Sequence, residues 1–393
     1  MTSTTSAETA APTASTESTV TTPAGNPSRD VETVAITRIG NLRASDAGQR
    51  GEVGIVTFPA HELGPEDVRI TVAYAAICGS DPHLAEGFFG TDVPIGLGHE
   101  ISGVIAELGP GVKRTDLAVG DRVSGNFIRF CGSCAPCQDG RQQFCEHAGE
   151  YNRPGMARSV VWHESQVYRL PEDVSLLQGC LLEPTSVAVR IADKTRVRPG
   201  DRVAICGGGP IGQLTLQVMR RYGASSLTLI EPIADRRELG QRFGARHVVD
   251  PVNESLADRA GEITGGAGFD VVIDASGSRH AVAGLLDIAA PGGMVVYGAM
   301  YPEDYELPLN LSDYLYRKEL TLTGVFVSPY TFPRAVRILE DLDLEPFLQS
   351  VFDFEDAPEA FETHLSGTYP KVVIRCNRLS QGGTEAAEPA RNR

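Results

Sequence analysis

The stretch Arg202-Val-Ala-Ile-Cys206, followed directly by Gly207-Gly-Gly-Pro-Ile-Gly212, decides the fold of this chain. An apolar run of strand composition enters a glycine turn, and the apolar spacing of residues 211–222 then predicts a helix that packs on a sheet. Gly207 permits a tight turn, Gly209 lets backbone amides approach a pyrophosphate, and Gly212 allows the helix to pack closely. Together with Pro210 and Ile211, these glycines predict a dinucleotide-binding site.

A carboxylate follows where a dinucleotide-binding unit needs one for the ribose. Glu231 ends the next strand-like run, 19 residues after Gly212. Its carboxylate can accept both ribose hydroxyls and would repel a 2′-phosphate, which favours NAD over NADP. Arg236 and Arg237 leave NADP open, because a guanidinium can pair with a phosphate. Both arginines fit equally well on the solvated first turn of the next helix.

The regions around this unit predict two domains. Strand-like runs at 227–230, 247–249, 271–274 and 294–297 alternate with helix-length segments. This alternation predicts an α/β fold with a parallel, doubly wound Rossmann sheet over residues 186–329. Residues 31–185 are predicted to be β-rich, because β-branched runs at 68–74 and 101–108 lie between glycines and prolines. A last strand at 371–375 predicts that residues 330–377 return to the first domain.

Composition and charge exclude several classes of protein. With 393 residues, 41% of them apolar, the chain is large enough for two packed domains. Its formal net charge of −16 opposes binding to nucleic acid. We find no apolar run near the roughly 20 residues that cross a bilayer and no signal or transit peptide pattern, so we expect a cytoplasmic protein. Residues 1–30 and 378–393 are predicted to be disordered tails.

Four cysteines lie within one short polar loop. The sequence Cys131-Gly-Ser-Cys134-Ala-Pro-Cys137 is followed by Cys145. Gly and Pro allow such a loop to wrap one ion, and four thiolates make a closed, structural zinc site. The alternative is a pair of disulfides or four incidental buried thiols.

A second group of metal-type donors is spread more widely. It comprises Cys78 in Cys78-Gly-Ser-Asp-Pro-His83, the pair His99-Glu100, and Glu183. Three protein ligands and a water would make a catalytic zinc site. Taken singly, Cys78 fits a core thiol, His99 a hydrogen-bonded turn histidine, and Glu183 an acid at a helix start. Their combination favours the metal site.

In these motifs the sequence resembles the zinc-containing medium-chain alcohol and polyol dehydrogenases, in particular the branch of sorbitol and threonine dehydrogenases. CGSDxH, GHE, CxxCxxCx7C, EP and GGGPIG occur in the family order, over residues 31–377. The resemblance implies a GroES-like catalytic domain at 31–185 and a catalytic zinc on Cys78 and His99. It leaves Glu183 and Glu100 open as the third ligand, with Cys180 as a less favoured candidate.

The resemblance also implies a reaction. Zinc polarises a substrate hydroxyl, Ser80 takes its proton, His83 passes the proton outward, and hydride moves to NAD. We expect a secondary alcohol as substrate, of the polyol, cyclitol, sugar or amino alcohol class. The alternatives are an NADPH-dependent zinc ketone or aldehyde reductase and a cofactor-binding protein without turnover.

Two positions depart from the family pattern. Phe326-Val-Ser328 stands where sorbitol-type enzymes carry Phe-Arg-Tyr, which argues against a linear-sugar polyol. Arg158 stands where the family has an acid, so we expect a different pocket wall. The resemblance finally implies a homodimer or homotetramer, assembled through the sheet edge near residues 319–327.

Overall fold

The computed structural model describes residues 30–379 except 47, 88, 89, 152 and 303. Almost all of both predicted disordered tails therefore lies outside the described residues. Within the described part, none of the helices is long and apolar enough to cross a membrane.

Strands and helices succeed one another in the described residues as follows. The strands are β1 (Val31–Arg38), β2 (Glu52–Phe58), β3 (Asp67–Ala76), β4 (Ile95–Gly96), β5 (Glu100–Leu108), β6 (Arg122–Gly125), β7 (Ser159–His163), β8 (Val167–Arg169), β9 (Arg202–Cys206), β10 (Ser226–Ile230), β11 (His247–Val249), β12 (Phe269–Asp274), β13 (Ala289–Tyr297), β14 (Thr321–Gly324), β15 (Val351–Asp353) and β16 (Val373–Arg375). The α-helices are α1 (Asp81–Ala85), α2 (Ala135–Gln138), α3 (Leu176–Gly179), α4 (Leu182–Thr195), α5 (Pro210–Arg221), α6 (Ala234–Arg242), α7 (Leu256–Thr264), α8 (Arg279–Val282), α9 (Gly284–Ile288), α10 (Phe332–Leu339) and α11 (Ala357–Ser366). Shorter turns of 3₁₀-helix lie at Gln142–Phe144, Ala148–Tyr151, Glu164–Gln166, Glu345–Leu348 and Phe354–Asp356, and a π-helical turn at Leu311–Arg317.

The second half of the chain forms a six-stranded parallel sheet in the order β11-β10-β9-β12-β13-β14. This is the strand order of the dinucleotide-binding doubly wound fold, which confirms the predicted fold class. Side chains of β9 alternate between its two faces: Val203 and Ile205 join a core with α4 and α5, while Ala204 and Cys206 join a core with α7 and α9. Burial on both faces explains the continuous apolar runs in these strands.

The first half of the chain forms mainly antiparallel sheets. One has the order β15-β16-β3-β5-β6-β8, with β7 also paired to β3, and a smaller one has the order β2-β1-β4. β16 pairs with β3 in the register Val373 opposite Ala76, so the end of the chain completes the sheet of its beginning. The domain limits stay predictions, and the predicted boundary at 185 lies inside α4, which packs against both α5 and β5.

Candidate active site

Two motifs that are distant in sequence meet at one end of the antiparallel sheet. Cys78 follows β3, and Glu100 begins β5 directly after His99. β3 and β5 are neighbours with Ala76 opposite Glu100, so the two motifs come to the same place. The candidate ligand atoms of Cys78, His99 and Glu100 all lie within 4.8 Å of one another. The sheet register thus assembles a thiol, an imidazole and a carboxylate, a donor set suited to zinc.

Two charged residues that the sequence analysis did not single out support this group. The fully buried Asp81 accepts a hydrogen bond from the Cys78 N–H at 2.8 Å through Oδ2, and its Oδ1 lies 3.7 Å from His99 Nδ1. Lys371 Nζ donates to Glu100 Oε1 at 2.6 Å, and both side chains are almost completely buried. Asp81 stands inside the first motif and could have been inferred from it. No pattern in the sequence around either residue predicts that Lys371 pairs with Glu100.

The buried side chains of this site carry an excess of negative charge, which favours the binding of a cation. Asp81 Oδ1 and Glu100 Oε2 are buried without a hydrogen-bond partner among the described residues. Burial raises the pKa of Glu183 to about 7, against the opposing charge of His99. Burial alone would lower the pKa of His99, but its interactions with Cys78, Asp81 and Glu183 raise that pKa well above its usual value. A divalent cation fits here, because it would compensate this excess of buried negative charge.

The two other candidate ligands lie outside this three-residue group. Glu183 is the second residue of α4 and is buried close enough to His99 for their charges to interact. Cys180 is fully buried, and its thiol donates to the Leu177 carbonyl at 3.1 Å. The geometry therefore favours Glu100 over Glu183 and Cys180 as the third donor.

Ser80 and His83 follow Cys78 in the chain, at the beginning of the short helix α1. Ser80 is half-buried and precedes α1, and its carbonyl accepts the His83 N–H at 3.1 Å. The His83 side chain is 48% exposed, with Nδ1 at 3.3 Å from Glu86 Oε2. This arrangement suits an outward proton path, although the two relay roles stay predictions.

The four cysteines of the loop converge. Cys131 Sγ lies 4.0 Å from Cys137 Sγ, and Cys134 Sγ lies 3.9 Å from Cys145 Sγ. Thiolates bound to one tetrahedral zinc at about 2.3 Å are about 3.8 Å apart, whereas disulfide sulfurs lie about 2.05 Å apart. Hydrogen bonds from the Ser133 hydroxyl and from the backbone N–H groups of Cys134 and Ser133 lower the pKa of Cys131 to about 5. The loop thus fits a closed four-thiolate zinc site and not disulfides.

The segment after β14 contains Phe326-Val-Ser328, which departs from the family pattern, and it connects the four-cysteine loop to α4. The Phe144 ring stacks on Phe326 with centroids 6.3 Å apart, and the Gln142 N–H donates to Tyr330 Oη at 3.4 Å. On the other side, the buried Ser328 hydroxyl lies 2.7 Å from that of Ser186, one turn after Glu183 in α4. The small side chain of Ser328 therefore allows the segment after β14 to contact α4, the helix that carries Glu183, directly.

Arg158, the second departure from the family pattern, is occupied within the fold. Its guanidinium donates to the Cys376 carbonyl and forms ion pairs with Glu32 at 3.2 Å and Glu355 at 2.5 Å. It also lies 4.2 Å from the centre of the Phe354 ring. These contacts tie the segment after β16 to the sheet and hold Arg158 outside the metal group.

The glycine turn fits a pyrophosphate. Gly207 has a φ of +98°, and a Cβ there would lie 2.8 Å from the backbone of Ser276. A Cβ on Gly212 would lie 1.8 Å from the Gly207 carbonyl oxygen. Gly209 caps α5, and a Cβ there would meet no described atom within 4 Å. The first N–H groups of α5 thus open onto free space, where the helix dipole attracts an anion.

The residues predicted for the ribose lie beside this turn. Glu231 is buried, and its two carboxylate oxygens accept the N–H groups of Gly208 at 2.5 Å and Ile233 at 3.0 Å. Arg236 Nη2 donates to the Gly367 carbonyl at 3.3 Å. The prediction of a solvated helix turn is wrong for Arg237, whose side chain is 19% exposed and pairs with Asp250 at 3.1 Å. Sequence periodicity could not foresee that partner, which belongs to the segment after β11.

Comparison with known proteins agrees with this geometry. The family model described as "Alcohol dehydrogenase GroES-like domain" matches residues 64–172, and the model described as "Zinc-binding dehydrogenase" matches residues 210–341. The chain is 33% identical over 329 residues to 2-dehydro-3-deoxy-L-galactonate 5-dehydrogenase of Pseudoalteromonas atlantica, covering 81% of this chain and 94% of the other. It is 32% identical over 323 residues to D-xylulose reductase A of Aspergillus oryzae, covering 78% and 89%.

A solved structure is similar over almost its whole length. It is a provisionally named zinc-binding dehydrogenase from Sinorhizobium meliloti bound to NADP, with 29% identity and a TM-score of 0.79, covering 88% of this chain and 99% of the other. Fold and site together define a zinc-containing, dinucleotide-dependent dehydrogenase. The chain belongs to the medium-chain family of zinc-binding alcohol and polyol dehydrogenases and is an oxidoreductase, as the sequence predicted.

Proposed function

We propose that this protein transfers hydride between a secondary alcohol carbon of a polyhydroxylated substrate and NAD. Cys78, His99 and Glu100 would hold a catalytic zinc, and the four-cysteine loop a structural one. The observation that carries the proposal is the convergence of these three donors within 4.8 Å, with one buried Glu100 oxygen that has no hydrogen-bond partner among the described residues. A protein that only bound the cofactor would have no need of such a site.

The chemical class of the substrate is inferred from the relatives. Both named relatives act, by name, on polyhydroxylated compounds with several oxygens on neighbouring carbons: a pentulose and a sugar acid. We give these relatives more weight than the sequence argument against a linear-sugar polyol, and we therefore place polyols, sugars and sugar acids first, ahead of cyclitols and amino alcohols. The absence of the sorbitol-type Phe-Arg-Tyr segment argues for contacts to the distal hydroxyls that differ from those in sorbitol-type enzymes.

The residues divide the work as follows. Zinc held by these donors would polarise the substrate hydroxyl, and a nicotinamide bound at the glycine turn would accept the hydride. Asp81 holds the Cys78 backbone and faces His99, and Lys371 fixes one oxygen of Glu100, so the donors are oriented before the metal binds. Ser80 receives the hydroxyl proton, and His83 releases it to solvent from the exposed side of α1.

Cofactor preference is proposed as NAD. The Glu231 carboxylate is held beside Gly208, where a 2′-phosphate would meet its charge. The competing NADPH-dependent reduction of a ketone or aldehyde is favoured by the NADP in the Sinorhizobium meliloti structure. Dissociation constants for both cofactors decide between them, and Glu231→Ser should improve NADP binding relative to NAD by about tenfold or more. If the ratio of the NADP to the NAD dissociation constant were the same in the wild type and in Glu231→Ser, Glu231 would not be the residue that distinguishes the two cofactors.

The test of the function uses zinc content and turnover together. The protein loaded with zinc should produce NADH from NAD with a panel of polyols and sugar acids. Cys78→Ala should lose one of two zinc ions and this turnover, whereas Cys180→Ala, the matched control, should keep both. Binding of NADH without turnover on any substrate of a broad panel would favour a cofactor-binding protein.

We further propose a homo-oligomer and a cytoplasmic location. β14 is an edge strand, and Leu311, Tyr316 and Phe326 near it are exposed, which supports assembly through this edge. All eight cysteines are unpaired, which supports a reducing compartment. Light scattering should give the mass of a dimer or tetramer. A monomer at micromolar concentration would contradict the first proposal.

A further inference from the structure

A buried carboxylate lies at the carboxyl edge of the parallel sheet, outside both metal groups. Asp274 ends β12 and is completely buried. Its Oδ1 accepts the Ser276 N–H at 3.0 Å and the Ser276 hydroxyl at 2.6 Å, and its Oδ2 accepts the Tyr301 hydroxyl at 2.5 Å. Both oxygens act only as acceptors, which fits the ionised carboxylate, and all three donors are neutral. Burial and the charge of Asp274 raise the pKa of Tyr301, so its hydroxyl stays a donor.

Asp274 joins loops that surround the glycine turn. The loop after β12 packs on the turn so closely that a Cβ on Gly207 would lie 2.8 Å from Ser276. The same loop packs on the one after β13, because a Cβ on Gly277 would lie 2.5 Å from the Met300 carbonyl oxygen. The Asp274 carboxylate accepts hydrogen bonds from Ser276 in the first loop and from Tyr301 in the second. Its position is therefore fixed relative to the turn.

The strand order tells which part of a dinucleotide lies above Asp274. β9, which leads into the glycine turn, has β10 on one side and β12 on the other. Glu231, the residue proposed for the adenosine ribose, follows β10. A dinucleotide whose pyrophosphate lies on the turn and whose adenosine lies over β10 must extend its other half over β12. The nicotinamide half therefore lies on the side of Asp274.

We propose that Asp274 determines the preference of this site for the redox state of the cofactor. This rests on the proposed function, since it requires NAD binding at the glycine turn. The oxidised nicotinamide ring carries a positive charge, and the reduced ring is neutral, so a fixed buried anion stabilises the oxidised form. Repulsion between Asp274 and the pyrophosphate is the same in both forms and cancels in their ratio.

The charge also affects the chemistry. In the reducing direction, the C–H bond of the dihydronicotinamide would break, its hydride would form the new C–H bond at the carbonyl carbon, the carbonyl oxygen would take a proton along the path of Ser80 and His83, and the ring would be left cationic. Asp274 stabilises that cationic product and so makes bound NADH a stronger hydride donor. A separation on the order of 10 Å at an effective dielectric of about 20 corresponds to roughly a tenfold change in relative affinity. For a two-electron couple this equals about 30 mV in the potential of the bound cofactor.

The experiment measures dissociation constants of NAD and NADH by calorimetry on the zinc-loaded protein. Asp274→Asn keeps the size and removes the charge, and its amide can donate to the Tyr301 oxygen. We expect the ratio of the NAD constant to the NADH constant to rise about tenfold. Tyr301→Phe is the matched control, because it removes one hydrogen bond and keeps the carboxylate. Its ratio should stay within about twofold of the wild type.

The outcomes are distinct. An unchanged ratio in Asp274→Asn, or an equal change in Tyr301→Phe, overturns the inference and leaves the proposed function intact. Failure of the wild type to bind either form overturns both. Circular dichroism checks folding, and Asp274→Ser repeats the test if the asparagine variant does not fold. If neither variant folds, the carboxylate serves the fold itself, and the inference is overturned.

Discussion

Replacing Lys371 by methionine removes the cation from the buried ion pair with Glu100. The two side chains are 3% and 1% exposed, and their charged atoms are 2.6 Å apart. Removing one partner of a buried pair typically costs about 3–5 kcal/mol, because the remaining charge is left uncompensated. We expect a loss of this size in the free energy of unfolding of the metal-free protein. With zinc bound near Glu100, the loss should shrink to about 1–2 kcal/mol, since the ion replaces the missing positive charge.

Lys113→Met provides the matched control. Lys113 forms an ion pair with Glu66 on the surface, where the side chains are 78% and 39% exposed. Such exposed pairs contribute little to stability, because water and salt screen them. The same chemical substitution should therefore have little effect, with or without zinc.

The measurement is urea unfolding followed by circular dichroism, for each variant with zinc and with a chelator. Zinc content by atomic emission accompanies each sample. An equal loss for Lys371→Met in both states would refute the reasoning, because Glu100 would then not face the metal. A loss no larger than that of Lys113→Met would refute the buried ion pair itself.

Three further predictions test the other parts of the site. Cys134→Ser should lower the melting temperature and release the structural zinc, whereas Cys78→Ser should abolish turnover with little change in melting temperature; equal destabilisation would contradict this division. Burial and two neighbouring cations lower the pKa of His364 to about 4. As pH falls from about 6.5 to 4, the unfolded chain therefore binds a proton at His364 that the folded chain does not bind. Roughly 3 kcal/mol of the free energy of unfolding should be lost in that window. In urea unfolding, His364→Gln should show a smaller loss over the same pH range, and a pH profile identical to that of the wild type would contradict this role of His364. Gly212→Ala places a Cβ 1.8 Å from a backbone carbonyl oxygen and should weaken NADH binding at least about tenfold, whereas Gly261→Ala in α7, where a Cβ meets no described atom within 4 Å, should leave binding unchanged.

Local patterns in the sequence determined the fold class and the two most compact motifs. The glycine turn lies between β9 and α5, as its sequence predicts, because a tight turn with close helix packing depends on residues adjacent in the chain. The four-cysteine loop converges for the same reason, since its donors span only residues 131–145. The alternation of apolar strand-like runs with helix-length segments likewise predicted an α/β chain without help from distant contacts.

Only the tertiary structure grouped Glu100 with Cys78 and His99, and only it revealed Lys371 and Asp274. The register of β3 against β5 brings Glu100 to Cys78, and the return of the chain in β16 brings Lys371 to Glu100. Asp274 became informative once the strand order set it opposite Glu231 across the glycine turn. These relations depend on which strands become neighbours, and that is set by packing of the whole chain, because residue spacing encodes distance along one element but not between elements.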